Sequence, residues 1–274
     1  MMKLTVALLC TLCAVVSADL RLPLPEVIQR EYPWLIDEPI NSDNDAYSAR
    51  IVGGSNVGPG EAKHQIALLR SGSFTCGGSL ISSKTVLTAA HCVYGNENKP
   101  TTFTIRYNTL DRTSGPTIGV KKVNRHASYS SNTIDYDVAT LTLSSAFAPG
   151  DNAAVIGLAS TEPAANEVLK VTGWGRLSAG GSLPTKLQQA NLNTISRSDC
   201  QKRWGSTNTI TARMICAHST TQSACNGDSG GPITKNGLLV GVVSWGSSSC
   251  LHQTYPNVYA NVANLKNWIN ANTV

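Results

Sequence analysis

The chain is poor in charge and in large rings. Asp, Glu, Lys and Arg make up 14% of its 274 residues, aromatics 6%, and Phe and Met occur three times each. With 23 glycines, this suits a β-rich extracellular protein better than a helical cytosolic one. No apolar stretch is long enough to cross a bilayer as part of the mature chain, which takes about 20 residues. There is no Asn-x-Ser/Thr sequon, so N-glycosylation is not expected. No Lys/Arg run or aromatic interleaving supports nucleic-acid binding. Beyond residue 18 no CxxC pair or His/Cys cluster signals a metal site. Internal repeats and low-complexity segments are also missing.

What is present divides the chain into three. Residues 1–18 carry Lys3, a largely apolar run from Leu4 to Val16, and small residues at Ser17 and Ala18. This pattern predicts a secretory signal peptide cleaved after Ala18, and hence a secreted, extracellular product. Residues 19–50 hold seven acids and three bases, with Pro23, Pro25, Pro33 and Pro39 interrupting any helix. Composition favours a solvated linker there, with room for a short amphipathic turn over Glu26–Trp34. From Ile51 onward there are eighteen bases and ten acids, so the overall net charge of +5 hides an acidic segment ahead of a basic body. Cys10 and Cys13 fall in the leader. The six cysteines left allow fifteen connectivities, and sequence alone does not choose among them. Their number points to an oxidising compartment.

From Ile51 the patterning is β. Apolar, β-branched runs between turn signals predict strands at Gln65–Leu69, Gly78–Ser82, Val86–Ala90, Phe103–Tyr107, Val120–Asn124 and Val138–Leu143. A second set is expected at Val168–Trp174, Leu187–Ile195, Met214–Ala217, Pro232–Lys235, Leu238–Ser244 and Asn257–Val262. Asn236-Gly237 reads as a hairpin turn, because both residues tolerate positive φ. A link between the two groups is expected near Ala148–Ser160. In the last stretch, Val262 to Asn272, Leu265, Trp268 and Ile269 share one helical face, which predicts a C-terminal helix docked on the body.

The chemistry gathers at Gly227-Asp228-Ser229-Gly230-Gly231-Pro232. A serine hydroxyl is a poor nucleophile until a base takes its proton and donors hold the oxyanion formed on attack. The glycine-rich turn offers the N–H groups of Gly227 and Ser229 as donors. Thr88-Ala89-Ala90-His91-Cys92 offers a base, and Asp137-Val138-Ala139 a carboxylate to orient it. In this order and context the sequence resembles the trypsin/chymotrypsin family of serine proteases, from Ile51 to the C-terminus. The resemblance implies an all-β fold of two packed six-stranded antiparallel barrels with a C-terminal helix, filling 51–274. It implies His91 as general base, Asp137 as its orienting partner and Ser229 as nucleophile; Asp135, two residues earlier, does not fit the family's Asp-Val-Ala pattern. It also implies the disulfides Cys76–Cys92, Cys200–Cys216 and Cys225–Cys250. His64, His126, His218 and His252 have no comparable partners in the sequence and are expected at the surface.

Within the family, Arg50 followed by Ile51-Val52-Gly53-Gly54 is an activation junction. Cutting there by a trypsin-like protease makes residues 19–50 a propeptide and frees an ammonium at Ile51 to pair with Asp228. The resemblance places Ser223 at the floor of the primary specificity pocket, where trypsins carry aspartate. With Trp204 and Gly246, this implies chymotrypsin-like or broad specificity, and Ser244 and Gly246 are expected to bond an extended substrate strand. One departure stands out: Pro256-Asn257-Val258-Tyr259 has asparagine where the family usually has glycine, so an amide is expected in the pocket. In this it resembles broad digestive proteases of arthropods, collagen-cleaving ones included, and an elastase-like or collagenolytic preference is the alternative. A protease homologue that has lost catalysis would lack a triad residue or the oxyanion glycine; this chain keeps them all. The region about Arg106–Gly119 has only Asp111 as an acid, so no calcium, and no cofactor, is expected. Protein or peptide substrates, the activating protease and protein inhibitors are the expected partners of what should be a monomer that binds neither nucleic acid nor membrane.

Overall fold

A computed structural model describes residues 51–274; the expected leader and the acidic segment 19–50 lie outside the described residues. The strands are β1 (Ser55–Asn56), β2 (Gln65–Arg70), β3 (Ser73–Leu80), β4 (Thr85–Thr88), β5 (Phe103–Arg106), β6 (Thr117–Arg125), β7 (Ala139–Leu143), β8 (Gly157–Leu158), β9 (Val168–Gly173), β10 (Gln188–Ile195), β11 (Met214–His218), β12 (Pro232–Lys235), β13 (Leu238–Trp245) and β14 (Asn257–Asn261). Among the described residues two α-helices accompany them, α1 (Arg197–Trp204) and α2 (Val262–Ala271), with a 3-10 turn at Pro100–Thr102.

Strands β2-β3-β4-β7-β6-β5 close into one antiparallel barrel. Strands β9, β10, β11, β14, β13 and β12 close into a second, because β9 pairs with both β10 and β12. The short β1 extends β10, and β8 runs parallel to the start of β13. All-β architecture with two six-stranded barrels and a C-terminal helix is thus what the chain adopts.

Local sequence explains most of these elements. In β10, Gln188, Ala190, Leu192 and Thr194 are buried while Asn191 and Asn193 are exposed, the period of two expected of a strand with one face inside. Strand β6 breaks that alternation at Lys121-Lys122, both exposed, where the register with β7 shifts. Such a bulge lets two lysines face water without turning Val123 out of the core. The Asn236-Gly237 turn has φ of 48° and 75°, as expected for a tight hairpin. Strand β3 begins at Ser73, five residues ahead of the expected Gly78. Ser71 (φ 51°) and Gly72 (φ 83°) make a second such turn, so β3 pairs along the whole of β2.

Helix α1 was not expected from periodicity. Its sequence signal is local: Ser196 caps the first turn by accepting from the Asp199 N–H at 3.1 Å, and Gly205 closes it. Helix α2 buries Val262, Leu265 and Ile269, and its tail is tied to the first barrel through Thr85 Oγ1, which accepts from the Val274 N–H at 3.0 Å. All three disulfides pair as the resemblance implied. The core that includes Leu68, Leu87, Ile105 and Leu141 of the first barrel continues into Leu239 and Val242 of the second and Ile269 of α2.

Truncating this shared core is costly. Leu141 is fully buried, so Leu141→Ala is expected to lose about 2–5 kcal/mol of unfolding free energy. Val168 is 59% exposed, and Val168→Ala should change it by less than about 0.5 kcal/mol. Denaturant titration of both variants checks the contrast.

Candidate active site

The site lies where the two barrels meet. Thr88 at the end of β4 pairs with Ala139 at the start of β7. His91, three residues past β4, and Asp137, two before β7, therefore emerge at the same end of one ladder. The His91 turn is pinned from both sides: the Val93 N–H bonds the Ala90 carbonyl at 3.1 Å, and Cys92 is bridged to Cys76 on β3.

Asp137 is 1% exposed, and each of its oxygens is engaged. Oδ1 accepts from the His91 backbone N–H at 2.9 Å, and Oδ2 lies 2.8 Å from His91 Nδ1. The Ser244 hydroxyl, from β13, donates to the same Oδ2 at 2.5 Å. An ionised carboxylate can only accept, so Nδ1 carries a proton, and in the neutral ring Nε2 then carries the lone pair. That Nε2 is buried with no hydrogen-bond partner among the described residues.

Ser229 belongs to the loop ahead of β12. Its carbonyl accepts from the Gly77 N–H of β3 at 2.8 Å, which fastens the serine loop to the first barrel. At Gly230, φ is 77° and an added Cβ would lie 2.2 Å from Thr88 Oγ1. Only glycine fits this turn. The Gly227 and Ser229 N–H groups have no protein partner among the described residues, whereas those of Asp228, Gly230 and Gly231 bond backbone carbonyls at 2.8 or 2.9 Å.

Asp228 points away from solvent and is fully buried. Its oxygens accept from the N–H groups of Gly175 at 2.8 Å and Cys225 at 2.9 Å. Burial outweighs these bonds and raises its pKa to about 7. No cation pairs with it among the described residues. Ile51 is likewise buried and belongs to a core cluster of the second barrel.

Beside Ser229 a narrow pocket is lined by Asn226, Trp245, Gly246, Cys250 and Asn257, among others. Its free space is about 20 Å³, close to what one water needs. Asn257 does enter the pocket: its Nδ2 lies 2.8 Å from where a side chain on Gly246 would begin. Its Oδ1 takes the Ser223 hydroxyl at 2.7 Å. Ser223 therefore sits behind Asn257 instead of lining the pocket. Trp204 lies behind the wall, with its indole N–H on the Pro256 carbonyl at 3.2 Å and its ring stacked on Tyr255. Asn226, which sequence reasoning passed over, has both amide atoms buried without a partner at the pocket edge. Its only signal was its place next to Gly227.

Asp135 has a different partner from Asp137. It accepts from Thr211 Oγ1 at 2.9 Å, from the Tyr136 N–H at 2.8 Å and from Arg213 Nε at 3.1 Å, with Arg213 Nη2 on its second oxygen. Ile134 and Tyr136 on either side have φ of 52° and 55°, costly for such side chains. The Arg213 guanidinium also lies over the Tyr136 ring. A clamp from the second barrel thus holds the strained loop that presents Asp137.

The other histidines are not simple surface groups. His126 stacks on Tyr136 and leans on Trp268, His218 Nε2 lies 3.1 Å from the Gln253 carbonyl, and His252 Nδ1 accepts from the Thr254 N–H at 3.0 Å. His64 has a buried, unpartnered Nε2. Cys76, His91 and Cys92 cluster closely enough to hold a metal ion, but the two sulfurs are bonded to each other and offer no thiolate.

Two antiparallel barrels with a serine, a histidine and a buried aspartate at their junction define a serine hydrolase of the double-barrel type. The family model described as Trypsin matches residues 51–269. The chain is 43% identical over 236 residues to Trypsin Blo t 3 of Blomia tropicalis, covering 82% of this chain and 87% of that protein. It is 42% identical over 226 residues to Trypsin delta of Drosophila melanogaster (81% and 88%), and 40% over 223 to Trypsin beta of Drosophila erecta (80% and 87%). The chain belongs to the trypsin family of serine proteases, and its activity is that of a serine endopeptidase.

Removing the Asp135 clamp tests how far that loop controls turnover. Arg213→Met should lower kcat by roughly ten- to a hundredfold through misplacement of Asp137, with KM little changed. Steady-state kinetics on a short peptide amide, beside a melting curve to exclude unfolding, would show it; unchanged kcat would mean that the loop holds itself.

Proposed function

We propose that the protein is a secreted protease zymogen, cut after Arg50, with an uncharged primary pocket. The observation that carries the reading is the His91–Asp137 pair, whose Nε2 is left without a partner among the described residues at the junction where the Ser229 carbonyl is tied to Gly77 of the same barrel. In this mechanism Nε2 takes the Ser229 proton as Oγ attacks the scissile carbonyl, and returns it to the leaving amine. Asp137, fixed by Ser244 and the His91 amide, holds the tautomer and stabilises the imidazolium. The unbonded N–H groups of Gly227 and Ser229 receive the oxyanion of the tetrahedral intermediate, where loss of one donor typically costs about 10²–10³ in turnover. Water then hydrolyses the acyl-enzyme by the reverse path. Asn226, at the pocket edge with its amide unpartnered among the described residues, is a further candidate to bond the substrate.

Residues 1–18 serve as signal peptide and 19–50 as propeptide in this reading. Cleavage by a trypsin-like protease frees the Ile51 ammonium, the partner that buried Asp228 lacks. The sign of the pH effect follows from its raised pKa. In the uncut chain the folded state holds a proton on Asp228 that the unfolded state releases above about pH 4. Stability of this arrangement is therefore full in acid and is lost as pH rises through about 7. Once an ammonium pairs with the carboxylate, that loss should disappear. Melting curves from pH 5 to 8 on Ser229→Ala protein, before and after the cut, are expected to converge only in the cut form; parallel curves would exclude the pairing.

The relatives named above are called trypsins, but Ser223 gives no ion pair for Lys or Arg. Chymotrypsin-like or broad cleavage is the main reading. The small free volume and the Asn257 amide favour a second, elastase-like one, with small residues before the cut. A panel of short peptides varied only at that residue (Phe, Tyr, Leu, Ala, Arg, Lys) decides between them. Asn257→Gly should raise kcat/KM for Phe roughly tenfold or more over Ala, since it frees space and leaves Ser223 as the floor. Fast cleavage after Arg in the parent protein would overturn the uncharged pocket, and Ser229→Ala must be inactive throughout.

A further inference from the structure

Away from the catalytic site, both barrels contribute to a second cavity of about 520 Å³. Lys63 and His64 from the approach to β2, Lys170 on β9, Asn191 on β10, and Lys235 and Asn236 at the β12–β13 turn line it. Lys235 is paired with Glu167. Lys63 and Lys170 form no ion pair among the described residues. The acid on this wall, Glu61, is engaged by the Gly58 N–H at 2.9 Å and the Gln189 amide at 3.0 Å, and also feels the charge of Lys170. His64 adds a buried ring nitrogen with no partner. Burial lowers its pKa to about 4, so near neutrality it offers a hydrogen bond and no charge. Beside apolar Val155, Ile156 and Val168, the two lysines without ion pairs and the neutral histidine are groups that can receive carboxylates.

The chain itself supplies a candidate occupant. Gln222 bridges the Gly53 carbonyl, at 2.8 Å, and the N–H of the cavity residue Asn191, at 2.9 Å. Gly53 thus lies one amide side chain away from a cavity residue, and three residues span at most about 11 Å. Chain connectivity alone therefore tethers whatever precedes Ile51 to this side of the molecule. The segment that ends there carries seven acids against three bases. We propose that the acidic segment 19–50 docks through its carboxylates in the cavity of Lys63, Lys170 and His64, holding the junction against the body until it is cut. The proposal rests on the zymogen reading above, in that the docked segment is taken to be the propeptide.

Full-length Ser229→Ala protein, cut at Arg50 and freed of its segment, would be titrated with a synthetic peptide of residues 19–50 by calorimetry. Saturable binding that weakens with added salt, and falls about tenfold or more in Lys63→Glu/Lys170→Glu, is expected. A scrambled peptide of equal charge should bind less tightly. The double variant in the active background should keep its kcat/KM on short peptides, because neither lysine touches the catalytic groups. Absent binding, binding indifferent to the charge reversal, or equal binding of the scrambled peptide would each overturn the proposal. N-terminal sequencing after activation is a separate readout: failure to find Ile51 as the new terminus of active enzyme would sink the zymogen reading whatever the peptide does.

Discussion

Burial of the Asp228 carboxylate is the constraint on which the site is built. A carboxylate in a low-dielectric interior is expensive unless fixed dipoles and a counter-charge meet it. Here the strands of the second barrel make room for it: side chains on Gly173 or Gly175 would begin 2.0 and 2.3 Å from its oxygens. Two N–H donors then receive it. Turning this residue inward forces its neighbours the other way. Ser229 faces the junction of the barrels, and the flanking amides of Gly227 and Ser229 are left without protein acceptors. Catalytic exposure and the buried charge are two sides of one backbone turn.

A second dependence runs between the barrels. His91 and Asp137 come from paired strands of the first, whereas Ser229, Ser244 and Asn226 come from the second. The joint must therefore be rigid, and it is made of polar contacts as well as apolar core. Gly77 of β3 bonds the Ser229 carbonyl at 2.8 Å, and Thr172 Oγ1 donates to Gln65 Oε1 at 2.7 Å across the interface. Ser244 reaches over to Asp137, and Arg213 to Asp135. Three of these four ties end on Ser229, on Asp137 or two residues from Asp137, so small relative motions of the barrels are opposed where they would do most harm.

Much of this was legible in the residues because it rests on local rules. Alternation in β10, turn chemistry at Asn236-Gly237 and the helical face of Leu265 and Ile269 carry their own physics. The early start of β3 was missed because Ser71-Gly72 is a weaker turn signal than Asn-Gly, and α1 because its eight residues have polar neighbours and a cap instead of an apolar stripe. Asp137 was separable from Asp135 only by motif. The role of Asp135 depended on Arg213, 78 positions away, which no local pattern joins to it. The same holds for the cavity around His64, whose walls come from five separate stretches of chain.

The pocket shows how one residue changes the meaning of another. Read alone, Ser223 describes an open, neutral floor. With Asn257 above it, the Ser223 hydroxyl is within reach of three oxygens, those of Ala224, Cys250 and Asn257, between 2.7 and 2.9 Å away, while its one proton can serve only one of them at a time. The amide is thereby held in place, with its NH₂ group turned toward Gly246. The serine then acts as a support for the asparagine, and a polar donor pair replaces the bare wall that a glycine at 257 would leave. The space beside Gly246 is thus filled by an amide that is itself bonded to Ser223. The identity of residue 257 therefore sets the depth of the pocket, and residue 223 sets how firmly that depth is kept.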